Sequence, residues 1–472
     1  MKPPRIPALE AAALALVTAC AHGAPRATPP VAAVAVPAPA TPSPRGAVPA
    51  PAPAPPVPPR VTGRVSLAAV GDVLMHDAVK RSATTHGAGA PNGGYAWLFE
   101  PVADLLSRAD VAFANLETPI APGKGGGTRE FVFNASPDVV RALQRSGVDL
   151  VSVTNNHAFD QGRPGFEETL AVLDRLGMRR AGAGPADRPE GPEWVEVGGL
   201  RIAVLAWAHF FNQDGNECPT GRRAGAAPCL RAAQLDRDRA VEAVRAAARA
   251  ADAVVVSLHW GDEYQQQPRA DDVELAHRLA EAGAAVIIGH HPHVLQPIEL
   301  YRRPDGRTTV IAYSLGNFVS NQSRGYVYGV TPERAAATRD GALLEVDLVR
   351  TDYGRGVVQV DVGGAGYVPL WTENDTAEID ARREPGRRPR IRVVAVERAL
   401  ASARAALLAM PDPVPADRQP EWVRLRRAEA LLLARKEAIG RVLGADLERS
   451  VPPPPPPAPG TAPAAATPAP AP

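Results

Sequence analysis

The stretch AVIIGHHPHVLQ, residues 285–296, changes character at Gly289: an apolar run stops and three imidazoles follow within four residues. Val286, Ile287 and Ile288 read as a strand buried on both faces, the kind found in parallel sheets covered by helices. His290, His291 and His293 then fall at the carboxyl end of that strand. In open α/β sheets, ligand crevices lie at that end. The His291-Pro292-His293 spacing adds to this, because alternate residues of an extended segment point the same way and can serve one metal pair.

Working outward, the same design recurs. Short apolar runs at 65–70, 111–115, 150–155, 202–207, 253–260 and 309–317 predict further strands, and residues 342–349 and 357–362 predict two late ones. Helical stretches lie between them. One is SPDVVRALQRSG at 136–147, with Ser136 as N-cap, Pro137 in the first helical position and Gly147 as the stop. Residues 164–177 and 271–283 have the same form. Strands alternating with helices predict an α/β fold of layered sheets.

Each strand end carries polar residues: Asp72 in AVGDVLMHD, Asn115 and Glu117 in ANLETP, and Asn155, Asn156 and His157 in SVTNNHAFDQG. His259 and Glu263 follow in SLHWGDEY, and Asn317 closes the series in YSLGNF. Carboxylates, an amide and imidazoles together form the mixed oxygen and nitrogen set that suits divalent Mn, Fe or Zn, and the residue types do not choose among them. One or two such ions are expected.

In this order, GD, NLE, NNHxxDxG, HWGxE, GHHPHVxQ and YSLGNF resemble the CapA family of poly-γ-glutamate capsule synthesis proteins, from about Val65 to Asp347. That family is related to the calcineurin-like metallophosphoesterases, so the resemblance implies their fold, layered β-sheets flanked by helices. Carried over residue by residue, it implies Asp72, Glu117, Asn156, His259, His291 and His293 as metal ligands, with Glu117 bridging. It also implies His157 as the catalytic proton donor facing a phosphoryl group. Asn115, Asn155, Glu263, His290 and Asn317 are expected to orient ligands or meet substrate, and Asp160 to cap its loop. Two departures stand out. Leu74 occupies the position where the phosphoesterase pattern has an imidazole, with His76 two residues on as a substitute, and Glu117 replaces an Asp. The resemblance leaves two readings open: a metal-dependent hydrolase, and a non-catalytic accessory protein that binds or exports an anionic envelope polymer, within a capsule synthesis or export complex.

The rest of the chain describes an address and spacers. Of 51 prolines, 14 fall in residues 21–60 and 11 in residues 452–472. Segments of that composition favour extended polyproline conformations and build no core. Residues 1–20 have Lys2 and Arg5 ahead of a short apolar run, and VTAC at 17–20 resembles a bacterial lipobox. Cys20 is then the lipidated residue, and the expected location is the cell envelope, anchored on the periplasmic or extracellular face. In an oxidising compartment Cys218 and Cys229 are expected to close a small loop. The chain divides into a signal peptide (1–20), a linker (21–60), the α/β domain (61–390), a helical extension (391–450) and a Pro-rich tail (451–472). No run of 18 apolar residues forms a membrane-spanning helix. With 52 basic against 51 acidic residues and no basic stretch, nucleic acid is not an expected partner.

Overall fold

The computed structural model describes residues 58–125, 131–220, 228–383 and 386–452. The signal peptide with Cys20, nearly all of the linker and the tail from 453 lie outside the described residues. No helix among the described residues is long and apolar enough to cross a membrane.

In chain order the strands are β1 (Arg60–Val73), β2 (Val111–Asn115), β3 (Leu150–Ser152), β4 (Arg179–Ala181), β5 (Ala183–Pro185), β6 (Glu193–Val197), β7 (Leu200–Ala208) and β8 (Leu230–Ala232). They continue as β9 (Ala253–His259), β10 (Val286–His290), β11 (Leu295–Arg302), β12 (Thr308–Leu315), β13 (Asn317–Val319), β14 (Asp340–Asp352), β15 (Val358–Asn374) and β16 (Ile391–Ala395). The α-helices are α1 (Asp77–His86), α2 (Ala96–Phe99), α3 (Ala103–Leu106), α4 (Pro137–Arg145) and α5 (Gly162–Leu176). After them come α6 (Arg237–Ala248), α7 (Ala270–Ala282), α8 (Thr376–Arg382), α9 (Val396–Leu408) and α10 (Gln419–Leu443).

Two sheets result. One runs β16-β15-β14-β1-β2-β3-β4 with β13 beside β1, and the other runs β11-β12-β10-β9-β7-β6. Each has a parallel centre and antiparallel strands at one or both flanks. The side-chain period of two sorts the apolar residues into three layers. In β1, Val65, Leu67 and Ala69 join the layer between the sheets, while Ala68 and Val70 face the helices α1 to α5. In β9, Val255 faces the other sheet, and Val254, Val256 and Leu258 face α6 and α7. Both sheets are therefore buried on both faces, which explains why their strands read as unbroken apolar runs.

Three elements differ from the sequence reading. The late strands lengthen into a hairpin, β14 and β15, that forms one flank of the first sheet. Residues 391–395, assigned above to the helical extension, pair with β15 as an edge strand. The helices that follow are not a separate appendage, because Leu400, Leu432, Ile439 and Leu443 enter the layer between the sheets. Arg435 goes in with them, 3% exposed, and binds Glu333 at 2.9 Å and Asp340 at 3.4 Å. Trp371 lies against both Arg435 and Arg339.

Two glycines let neighbouring backbone segments approach closely at the site. A Cβ on Gly71 would lie 1.9 Å from the carbonyl oxygen of Gly316, and one on Gly289 would lie 1.8 Å from that of Tyr313. No side chain fits at either point, so the GD and GHH motifs need glycine for backbone contact.

Candidate metal centre

Strand register assembles the site. Asp72 at the end of β1 is paired with Asn115 of β2 on one side and with Asn317 of β13 on the other. In the second sheet His290 is paired with His259. Five polar residues distant in sequence thus meet where the two sheet edges face each other.

Asp72 is fully buried and held from several directions. Asn115 Nδ2 donates to its Oδ1 at 2.8 Å, and the backbone N–H of His291 donates to its Oδ2 at 3.2 Å. His290 Nδ1 and His293 Nδ1 each stand 3.3 Å from its oxygens. Burial pushes the Asp72 carboxyl up, but the two imidazoles outweigh it and hold the group well below the usual range. Glu117 is the opposite case. It is fully buried, and neither carboxylate oxygen has a hydrogen-bond partner. Burial, then the charges of Asp72 and Glu263, push it well above the ordinary carboxylate range. His259 Nε2 is 3.3 Å from Glu117 Oε1, without the alignment of a hydrogen bond, and His293 Nε2 is 3.9 Å away.

His259 and His291 are kept neutral. Burial and then neighbouring His291 push His259 down, while burial and then His293 push His291 to about 3. Neutral imidazole, with a free lone pair, is the form that ligates metal. Asn156 Oδ1 and His259 Nε2 point at each other across 2.9 Å. His293 Nδ1 contacts Asn317 Oδ1 at 3.1 Å, a bond that leaves Nε2 as the ligating nitrogen.

Three groups of ligand atoms lie within 4.8 Å of one another: Glu117, His259 and His291; Asp72, Glu117 and His293; and Glu263, His291 and His293. The first two share Glu117. Buried carboxylate oxygens that make no hydrogen bond among the described residues, close to the neutral His259 and His291, fit a divalent cation, which supplies positive charge and ligand bonds.

Several residues behave differently from their sequence reading. His291 and His293 do not lie on an extended segment. The strand ends at His290, and both residues sit in the left-handed region, with φ 94° and 58°. Such backbone is strained for side chains with a Cβ, and strain of this kind concentrates at functional sites. Glu263, read as an orienting group, is exposed and offers its carboxylate to the two imidazoles. His290 is the better orienting group, because it stands beside Asp72 and packs against Phe113. Asn155 ties the loop down, donating to the Leu116 carbonyl at 3.0 Å. His76 does not replace the imidazole missing at Leu74: it receives the Asn321 N–H at 3.3 Å and packs on Phe133, outside all three groups.

His157 also lies outside the ligand groups. Its Nδ1 is 2.8 Å from Asp160 Oδ2, which also accepts the Phe133 N–H at 2.6 Å. Asp160 therefore does more than cap a loop: it fixes the imidazole so that Nε2 is free. The segment 209–218 runs over this motif, with Asn212 N–H donating to the Asn156 carbonyl at 2.8 Å. A disulfide between Cys218 and Cys229 closes that segment. Phe210, partly exposed, sets its ring edge against His291 at 5.3 Å. Sequence reasoning passed over Gln296, although GHHPHVxQ contains it. Buried, it donates to the carbonyls of Gln265 at 2.7 Å and Gln267 at 3.3 Å, and so pins the loop that follows Glu263.

Two layered sheets flanked by helices, with carboxylates and imidazoles clustered at their facing strand ends, define an α/β protein with a candidate metal centre. The chain belongs to the bacterial capsule synthesis protein family PGA_cap, whose family model matches residues 66–322. It is 30% identical over 312 residues to the PGA biosynthesis protein CapA of Bacillus subtilis, covering 65% of this chain and 74% of that one. To the capsule biosynthesis protein CapA of Bacillus anthracis it is 28% identical over 312 residues, covering 64% and 68%. Among solved structures it is similar to a phosphatase of Mycoplasma pneumoniae, at 12% identity and a TM-score of 0.37, covering 66% of this chain and 94% of that one.

Proposed function

We propose that this protein is an exported, lipid-anchored envelope protein that acts on poly-γ-glutamate or a related anionic polymer through a metal-dependent hydrolytic site. The observation that carries the reading is Glu117, a buried carboxylate that makes no hydrogen bond among the described residues and is shared by two candidate ligand groups. The names of the Bacillus relatives support the polymer as substrate class. Asp72, Glu117, Asn156, His259, His291 and His293 would hold the cation or cations. A divalent ion bound there would polarise a phosphoryl or carbonyl oxygen and bring the pKa of a water near 7.

The protein's own groups do the rest. Asp160 keeps His157 in one tautomer, so its Nε2 is presented to the crevice, where the protonated ring can hand a proton to the leaving oxygen or nitrogen. Phe133, 4.6 Å from the His157 ring, shields that hydrogen bond from water. His157→Ala is expected to lower hydrolysis of an aryl phosphodiester, or of the polymer, by about 10²- to 10⁴-fold. The metal content, measured by elemental analysis, should stay at the wild-type level. Equal loss of metal would contradict the proton-donor role.

A second reading is favoured by Leu74, buried and apolar where phosphoesterases carry an imidazole. In that reading the crevice binds polymer without cleaving it. It wins if the metal-loaded wild type hydrolyses neither substrate but binds the polymer, and His157→Ala binds equally well. The anchor is tested separately: Cys20→Ser is expected to move the protein from the membrane fraction to the soluble envelope fraction. Unchanged fractionation would rule the lipid anchor out.

A further inference from the structure

A pocket of 380 Å³ is lined by Tyr264 and Val294, the chain neighbours of Glu263 and His293. Tyr264 forms one wall, its ring 6.3 Å from that of His293, and Val294 forms the floor next to His293 in the chain. The opposite wall contains Gln322 and Thr338, and both accept from the Asn317 amide, at 2.9 Å each. Asn317 is the residue that orients His293. The pocket wall is therefore joined to His293 by two hydrogen bonds through Asn317.

Its chemistry is biased toward donors. Arg334 is the only charged residue among its walls, and it makes no hydrogen bond or ion pair among the described residues. Gln322 uses its carbonyl oxygen on Asn317 and keeps its amide N–H groups to donate, and Gln266 and Tyr264 add an exposed amide and a phenol. The neighbouring arginines are already engaged: Arg339 binds the Thr372 carbonyl, Arg427 the Tyr328 carbonyl, and Arg435 binds Glu333 and Asp340. The larger groove of 730 Å³ beside α6 and α7 is different, because Arg239, Arg245 and Arg278 in its walls are paired with Glu190, Glu242 and Asp238.

We propose that this pocket is the subsite that reads a free carboxylate on the polymer, with Arg334 as the cation that receives it; the assignment rests on the polymer reading above and adds the residue that recognises the repeat unit. A γ-linked glutamate unit offers one carboxylate and one amide, matching an unpaired guanidinium beside amide side chains. The walls are held in advance, which spares the ordering entropy of binding. Gln296 pins the loop of Gln266 through two carbonyls, and Arg435 holds Glu333, the residue before Arg334.

The test is calorimetric titration of the full-length protein with a γ-linked glutamate tetramer and with the tetramer in which every side-chain carboxylate is an amide. Arg334→Gln is expected to weaken the acidic tetramer about tenfold or more, to change the amidated one less than twofold, and to leave metal content unchanged. Arg427→Gln, exposed and nearby, should match the wild type. Equal binding of the acidic tetramer by wild type and Arg334→Gln would overturn the subsite while leaving the polymer reading intact. No binding of the acidic tetramer by the wild type would overturn both.

Discussion

Glu117→Gln is expected to remove divalent metal from both positions of the centre at once. The carboxylate belongs to two ligand groups, one with His259 and His291 and the other with Asp72 and His293, and no other residue belongs to both of these. A glutamine at this point keeps the shape but loses the charge that draws the cations. Loss of residues that merely orient a ligand typically lowers affinity 10- to 100-fold, so loss of the shared ligand should exceed about 100-fold for Mn or Zn. His293→Ala, by contrast, should remove one group and leave the His259 and His291 side. A second effect has the opposite sign. With a chelator present, Glu117→Gln should melt at a higher temperature than the wild type, because a buried carboxylate without a hydrogen-bond partner is replaced by a neutral amide. Elemental analysis and a melting curve with and without chelator decide this. Wild-type metal content in Glu117→Gln, or a lower melting temperature without metal, would show that the carboxylate is satisfied in some other way.

Arg435→Met is expected to destabilise the fold by about 3–5 kcal/mol, the range for removing one partner of a buried ion pair. Arg435 comes from α10 and reaches Asp340 at the start of β14, where both side chains are nearly inaccessible. Burial pushes Asp340 up to about 7 even though Arg435 and Arg339 pull it down, so the ionised form is already disfavoured. A carboxyl raised in the folded state contributes most when protonated, and that contribution is lost as pH rises through about 7. The deficit of Arg435→Met should accordingly be larger at pH 8 than at pH 6. Arg435→Met combined with Asp340→Asn should recover most of the stability, since the buried carboxylate is then gone and Glu333, the other partner, is half exposed to water. Urea unfolding at the two pH values measures all three variants. A loss below about 1 kcal/mol, or no recovery in the double variant, would mean that α10 is held by its apolar stripe alone.

Both predictions rest on residues of different legibility. Asp72, Glu117, Asn156, His259, His291 and His293 stood out as polar residues at or just past the ends of apolar runs, where parallel strands buried on both faces put their polar chemistry, and the family resemblance implied these six as ligands. Gly71, Gly289 and Gly316 stand in the same motifs, the first two because neighbouring backbone passes too close for a side chain. Helix α4 was equally plain, since Ser136 and Pro137 mark its start locally and Ser136 does accept the Asp138 N–H. Local signals of this type need no knowledge of the rest of the chain.

Other features carry no local signal. Nothing about Arg435 within α10 distinguishes it from the solvated arginines around it, and only the docking of the helix against β14 buries it. The strand 391–395 is too short to declare itself without β15 as its neighbour. Asp160 reads as a turn residue until its distance to His157 is known. The sequence by itself determined the alternation of buried strands and helices, the glycine positions and the ligand types, because these follow from side-chain period and chemistry along one segment. Only the tertiary structure decided which candidate ligands share Glu117, that His291 and His293 occupy strained left-handed backbone, and that Arg334, unpaired among the described residues, lines a pocket with Val294. Those are relations between residues brought together by packing across hundreds of positions, and a one-dimensional pattern does not encode the distance between them.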